Sequence, residues 1–148
     1  AWGRKNNKMN IEIITNKIDK ILAMDPYKIC LADTAGFAKS DTIKKYLEKI
    51  IPLIKDKSLV MHFHQTQRGW QENVYAAIEM GIREFDSSLG GEGGSPFLHR
   101  SKGNIPTEEL VKLIDEKGYH SGVDQSGIEK TVLKLNRIIN KIPASTIV

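Results

Sequence analysis

One cysteine in 148 residues leaves no partner for an internal disulfide. Cys30 therefore fits a reducing compartment, and the cytoplasm is the expected location. No apolar run approaches the roughly 20 residues of a membrane span, and no signal-peptide pattern opens the chain, so no membrane is expected. Aromatic residues make up only 7% and do not interleave with the basic ones. The formal net charge is +4, yet "KKYLEKIIPLIKDK" and "EKTVLKLNRIINK" mix lysines with acidic residues, as solvated helix faces do. Without a dense basic stripe, no nucleic-acid partner is expected; a basic pocket for an anionic small molecule explains the charge equally well. No repeat, linker or low-complexity tract divides the chain. "AWGRKNNK" at the start is a polar lead-in, and the natural start is expected to lie elsewhere.

What is present is an ordinary globular composition, 40% hydrophobic and 27% charged, arranged in strict alternation. Helical spacing runs over 9–25, 40–56, 71–81, 106–118 and 128–141. Short apolar runs occupy 27–37, 59–64 and 82–88, and a stub of strand is expected at 121–123. Alternating strands and helices argue for an α/β fold of parallel βα units, in which ligands sit beyond the carboxyl ends of the strands. Asp33 and Thr34 end the first strand, His62 and His64 the second, and Asp86 to Ser88 the third. A complete (β/α)₈ barrel takes about 250 residues. Three clear units and a weak fourth make either about half of one or a small open sheet.

Three features carry chemistry. "LVMHFH" puts His62 and His64 on one face of a strand, in a row with Val60 and Thr66. Two such imidazoles can hold a metal ion, or they can be polar residues on a wet strand face. "GGEGGSPFLHRSKGN" has five glycines within 90–103, able to expose N–H groups and to approach a ligand closely. It lacks the G-K-[ST] of a P-loop and the strand–turn–helix setting of a dinucleotide fingerprint. Finally, "LADTAG" places the Asp33 carboxylate and the Thr34 hydroxyl at a strand end, where Asp33 could act as a base, a histidine partner or a helix start.

Taken together, "LADTAGFA", "HFHQT", "FDSSLGGEGGSPF" and "GNIPTEEL" resemble 3-hydroxy-3-methylglutaryl-coenzyme A lyases, within the metal-dependent TIM-barrel lyases and aldolases. The resemblance spans about residues 9–140. It implies that the chain, 1–148, is one partial domain, roughly the carboxyl-terminal half of a TIM barrel, with four amino-terminal strands missing. It further implies His62, His64 and Asn104 as ligands of a divalent cation, Mg or Mn in preference to Zn, with Asp33 near that metal and involved in the chemistry. The loop from Gly90 to Pro96, with Gly91, Gly93 and Gly94, would close over an acyl-CoA or a related 2-oxo acid, and Thr34 would line the same rim. Ser95 stands where the lyases carry a cysteine, and a hydroxyl gives up its proton far less readily than a thiol with a pKa near 8.5. Gln65 follows the second histidine where an acidic residue is usual. The implied ligands are all neutral, which suits a hard dication poorly. The expectation is a carbon–carbon lyase completed by a missing half-barrel, upstream or on a second chain. The opposing readings are a non-catalytic fragment whose strand edges and apolar interior positions drive self-association into a homodimer, and a synthase acting on a 2-oxo acid.

Overall fold

The computed structural model describes residues 11–54, 57–65, 69–94 and 103–140. Each helix forms where apolar residues recur at helical spacing. In α1 (Ile11–Leu22) the anchor is Ile18, and in α2 (Ser40–Ile54) it is the set Ile43, Tyr46, Leu47, Ile50 and Ile54. In α3 (Trp70–Glu79) Trp70, Val74, Ala77 and Ile78 are buried. Gly81, at φ 88°, follows this helix in the left-handed conformation that glycine supplies cheaply. The strands β1 (Lys28–Asp33), β2 (Ser58–Phe63) and β3 (Glu84–Asp86) lie parallel in the order β1-β2-β3. A 3₁₀ turn at Leu89–Gly91 leads into the glycine loop. Two helices, α4 (Thr107–Glu116) and α5 (Gln125–Ile139), complete the described chain.

The register sets Ala32 beside His62 and His62 beside Asp86. Alternation then divides the sheet into two unlike faces. Ile29, Leu59, Met61 and Phe63 join Leu47, Val74, Ile105 and Leu110 in one hydrophobic core. The other face carries Lys28, Cys30 and Ala32, then Ser58, Val60 and His62, then Glu84 and Asp86, and contributes no residue to that core. Lys28 and Glu84 form an ion pair across β2 on this side. An apolar interior surface was expected here, and the exposed face is instead mostly polar. The outer edges of β1 and β3 have no strand partner among the described residues.

The expected strand at 121–123 does not form. Gly122 adopts φ 74°, outside the extended region, and the Val123 N–H turns back to the Ser121 hydroxyl at 3.2 Å. The last helix begins at Gln125, ahead of the expected 128, with Asp124 as its N-cap residue. Among the described residues no helix is long and apolar enough to cross a membrane.

Candidate metal centre

His62 is the penultimate residue of β2, and His64 lies just past its end, so the two rings stand on the same side of the chain. Their Nε2 atoms are 3.1 Å apart, and the ring planes meet at 72°. Two nitrogens bound to one ion at about 2.0–2.1 Å would stand roughly 2.9 Å apart at a right angle and roughly 3.4 Å apart at the tetrahedral angle. The observed separation lies between these values, so the spacing of the pair matches that of two nitrogens on a shared cation. Burial, and then the neighbouring His62, hold the pKa of His64 below the ordinary imidazole value. That favours the neutral form, which coordinates metals.

The third expected donor reaches the same place from far along the chain. Residues 103–106 run between the ends of β2 and β3, with Asn104 bridged to His64 and Pro106 bridged to Ser88. The Gln65 N–H donates to the Gly103 carbonyl (2.9 Å), and the Ser88 N–H to that of Ile105 (3.1 Å). Asn104 Nδ2 donates to the Glu92 carbonyl at 3.0 Å, and the Ser88 hydroxyl donates to the same oxygen at 2.7 Å. With Nδ2 so engaged, Oδ1 is the amide atom left to coordinate. The bridge thus sets the backbone of Asn104 beside that of His64, at the carboxyl end of the sheet where the two imidazoles stand.

The glycine loop packs on this segment by backbone contact. Gly91 is buried at φ 69°, and a Cβ there would lie 2.3 Å from Gln65 Nε2 and 2.9 Å from the Asn104 carbonyl oxygen. A Cβ on Gly93 would lie 3.0 Å from Asn104 Nδ2, and one on Gly94 3.4 Å from Gly103 Cα. The Gly90 N–H donates to the Glu108 carboxylate at 3.1 Å, which ties the loop to α4. Thr34 follows β1, half-buried. Ser95, Thr66, Arg68 and His99 lie outside the described residues.

Of the roles left open for Asp33, its contacts match the helix start. The register places it beside Phe63, on the face turned towards the helices, where it is 1% exposed. Its carboxylate accepts the N–H groups of Ala38 (3.0 Å) and Phe37 (3.3 Å), and so builds the turn into α2. Burial raises its pKa, and these N–H groups oppose the rise. The carboxylate beside the histidines is Asp86, whose Oδ2 is 3.7 Å from His62 Nδ1. The Cys30 thiol donates to the same oxygen at 3.6 Å, and burial, with Asp86 adding to it, pushes that thiol up to about 11. Nothing local in "EFD" marks Asp86, since its place beside His62 depends on the register of β2 with β3. Among the described residues, no three His, Cys, Asp or Glu side chains are grouped to hold an ion. The third donor therefore has to be the Asn104 amide or come from elsewhere.

Comparison with known proteins matches residues 4–133 to the HMGL-like family model. The (R)-citramalyl-CoA lyase of Chloroflexus aurantiacus is 40% identical over 101 residues, 68% of this chain and 32% of that protein. The hydroxymethylglutaryl-CoA lyase of Pseudomonas mevalonii is 31% identical over 125 residues, 84% of this chain and 42% of that one. An HMG-CoA lyase from Acinetobacter baumannii, solved with coenzyme A and 3-methylmalate, superposes with a TM-score of 0.85 at 32% identity. That match covers 92% of this chain and 45% of the other. The chain thus spans between a third and a half of the length of these relatives. Its parallel βα units correspond to part of their TIM barrel.

Proposed function

The chain belongs to the HMGL-like family, and from that premise we propose that it is the donor-bearing part of a metal-dependent carbon–carbon lyase. The reaction is cleavage of a 3-hydroxyacyl-CoA to acetyl-CoA and a keto acid, carried out in the cytoplasm once the remainder of the barrel is present. The observation that carries this reading is the convergence of His62 and His64 Nε2 at 3.1 Å, with Asn104 bridged alongside under the glycine loop. His62, His64 and the Asn104 amide oxygen would hold a divalent cation, Mg or Mn in preference to Zn. When bound, that cation supplies Lewis-acid polarisation of a substrate oxygen and offsets the negative charge that cleavage develops.

The chain's own residues do the rest. Gly91, Gly93 and Gly94 let the backbone approach an acyl-CoA closely, and Thr34 offers a hydroxyl at the rim. Ser95 passes a proton in the cleavage step, more sluggishly than a cysteine would. Asp33 holds the turn after β1 in place and leaves the charge beside the ligands to Asp86. The edges of β1 and β3, without a strand partner among the described residues, receive the missing strands, from upstream sequence or from a second chain.

The test combines the chain with the amino-terminal half of a hydroxymethylglutaryl-CoA lyase and Mg or Mn. Acetyl-CoA release is then followed from hydroxymethylglutaryl-CoA and from citramalyl-CoA. Release from one of them, lost in His62→Ala, is expected. A longer parent polypeptide that retains no divalent cation and cleaves neither thioester would refute the reading.

A further inference from the structure

We propose that Asp86 is a positioning residue that sets the proton arrangement of the histidine pair. This rests on the reading of His62 and His64 as donors. Asp86 and His62 are register partners on adjacent strands and face the same side of the sheet. A carboxylate only accepts hydrogen bonds, so a neutral ring beside it is favoured with its proton on the nearer nitrogen. The nearer nitrogen is Nδ1, 3.7 Å from Asp86 Oδ2. His62 Nε2 then carries its lone pair towards His64.

The 3.1 Å spacing of the two Nε2 atoms completes the argument. Two bare lone pairs at that distance repel unless a cation or a proton lies between them, and two N–H groups collide. In the metal-free chain His64 therefore donates its Nε2–H to His62 Nε2. Loading a cation moves the His64 proton to Nδ1 and leaves His62 as it was. Cys30 on β1 keeps Asp86 in place by donating its thiol hydrogen to the same Oδ2 at 3.6 Å. The contact thus ties all three strands together on the open face. Asp86 also supplies, one ring away, the negative charge that three neutral donors lack. Carboxylates that hold metal-bound imidazoles commonly act in this way, and their removal weakens metal binding by about 10- to 100-fold.

The experiment is ¹⁵N NMR of the histidine-labelled full chain near pH 8.5, metal-free and with Zn(II), for the natural sequence, Asp86→Asn and Asp86→Glu. Far-UV circular dichroism confirms that each variant is folded. Before metal is added, His62 is expected as the Nδ1–H form and His64 as the Nε2–H form; with Zn(II), both become Nδ1–H. Asp86→Asn should bring the Nε2–H form into the His62 population and weaken Zn(II) binding by about 10- to 100-fold, while Asp86→Glu should restore part of each. His62 found mainly as Nε2–H in the natural chain, or unmoved by Asp86→Asn, overturns the proposal. Failure of Zn(II) to bind would count against the donor reading, while the metal-free spectra would still decide the role of Asp86.

Discussion

Replacing Gly103 with alanine probes the seam on which the candidate site depends. At φ 92° the backbone is in a region that L-residues reach at a cost of roughly 1–2 kcal/mol. The new Cβ would also lie 2.4 Å from the Gly91 carbonyl oxygen and 2.8 Å from that of Gly93. Both neighbours are backbone, so neither can swing aside as a side chain would. Pushing them apart strains the loop by about 1–3 kcal/mol. It also weakens the Gln65 N–H bond to the Gly103 carbonyl, worth about 1 kcal/mol. The expected loss is about 3–6 kcal/mol. Gly118 is the control: its φ is 77°, but a Cβ there meets nothing within 4 Å, so Gly118→Ala should cost only about 1–2 kcal/mol. With a urea m-value of about 1–3 kcal/mol/M, the two midpoints should differ by about 1 M. Equal midpoints would show that the seam gives way freely, and would refute its role in holding Asn104 beside His64.

Two further outcomes follow from titrating groups. The folded-state pKa of Asp33 is raised by burial above the ordinary 3.8, so the folded chain holds this proton more tightly than the unfolded one. Its contribution to stability is therefore largest below 3.8 and declines as pH rises through the folded-state pKa. The stability difference between the natural chain and Asp33→Asn, from urea melts at a series of pH values, should follow that decline; a pH-independent difference would contradict it. Cys30, pushed up to about 11 from 9.0, should be alkylated by iodoacetamide at pH 8 about a hundredfold more slowly than an ordinary thiol, from the thiolate fraction. The rate should rise in Asp86→Asn, and an ordinary rate in the natural chain would contradict the shift.

The histidine pair could be read from sequence because alternation within one strand is a local property: i and i+2 share a face wherever the strand pairs. For Asp33 three settings stayed open, a base, a histidine partner or a helix start. Which face it takes relative to His62 depends on the register between β1 and β2, and a slip of one residue reverses the answer. Asp86 was hidden for the same reason, although its strand end had been located. Asn104 reached the candidate site only through family resemblance, since nothing near "KGN" signals that the segment will lie against residue 64. The missing strand at 121–123 and the earlier start of α5 are local matters. A left-handed Gly122 outweighed weak apolar patterning. The polar open face was misjudged because an interior position was equated with an apolar one.

The bridge between His64 and Asn104 also sets a long-range contact beside a local one. The two imidazoles come together as soon as β2 extends, from residues adjacent in the chain. The amide cannot join them until α3, β3 and the glycine turn are in place and 103–106 has docked between the strand ends. Closing that long excursion costs chain entropy before its contacts repay it. The contact between residues 62 and 64 is thus local in the chain, whereas that between 64 and 104 is long-range and depends on everything folded between them.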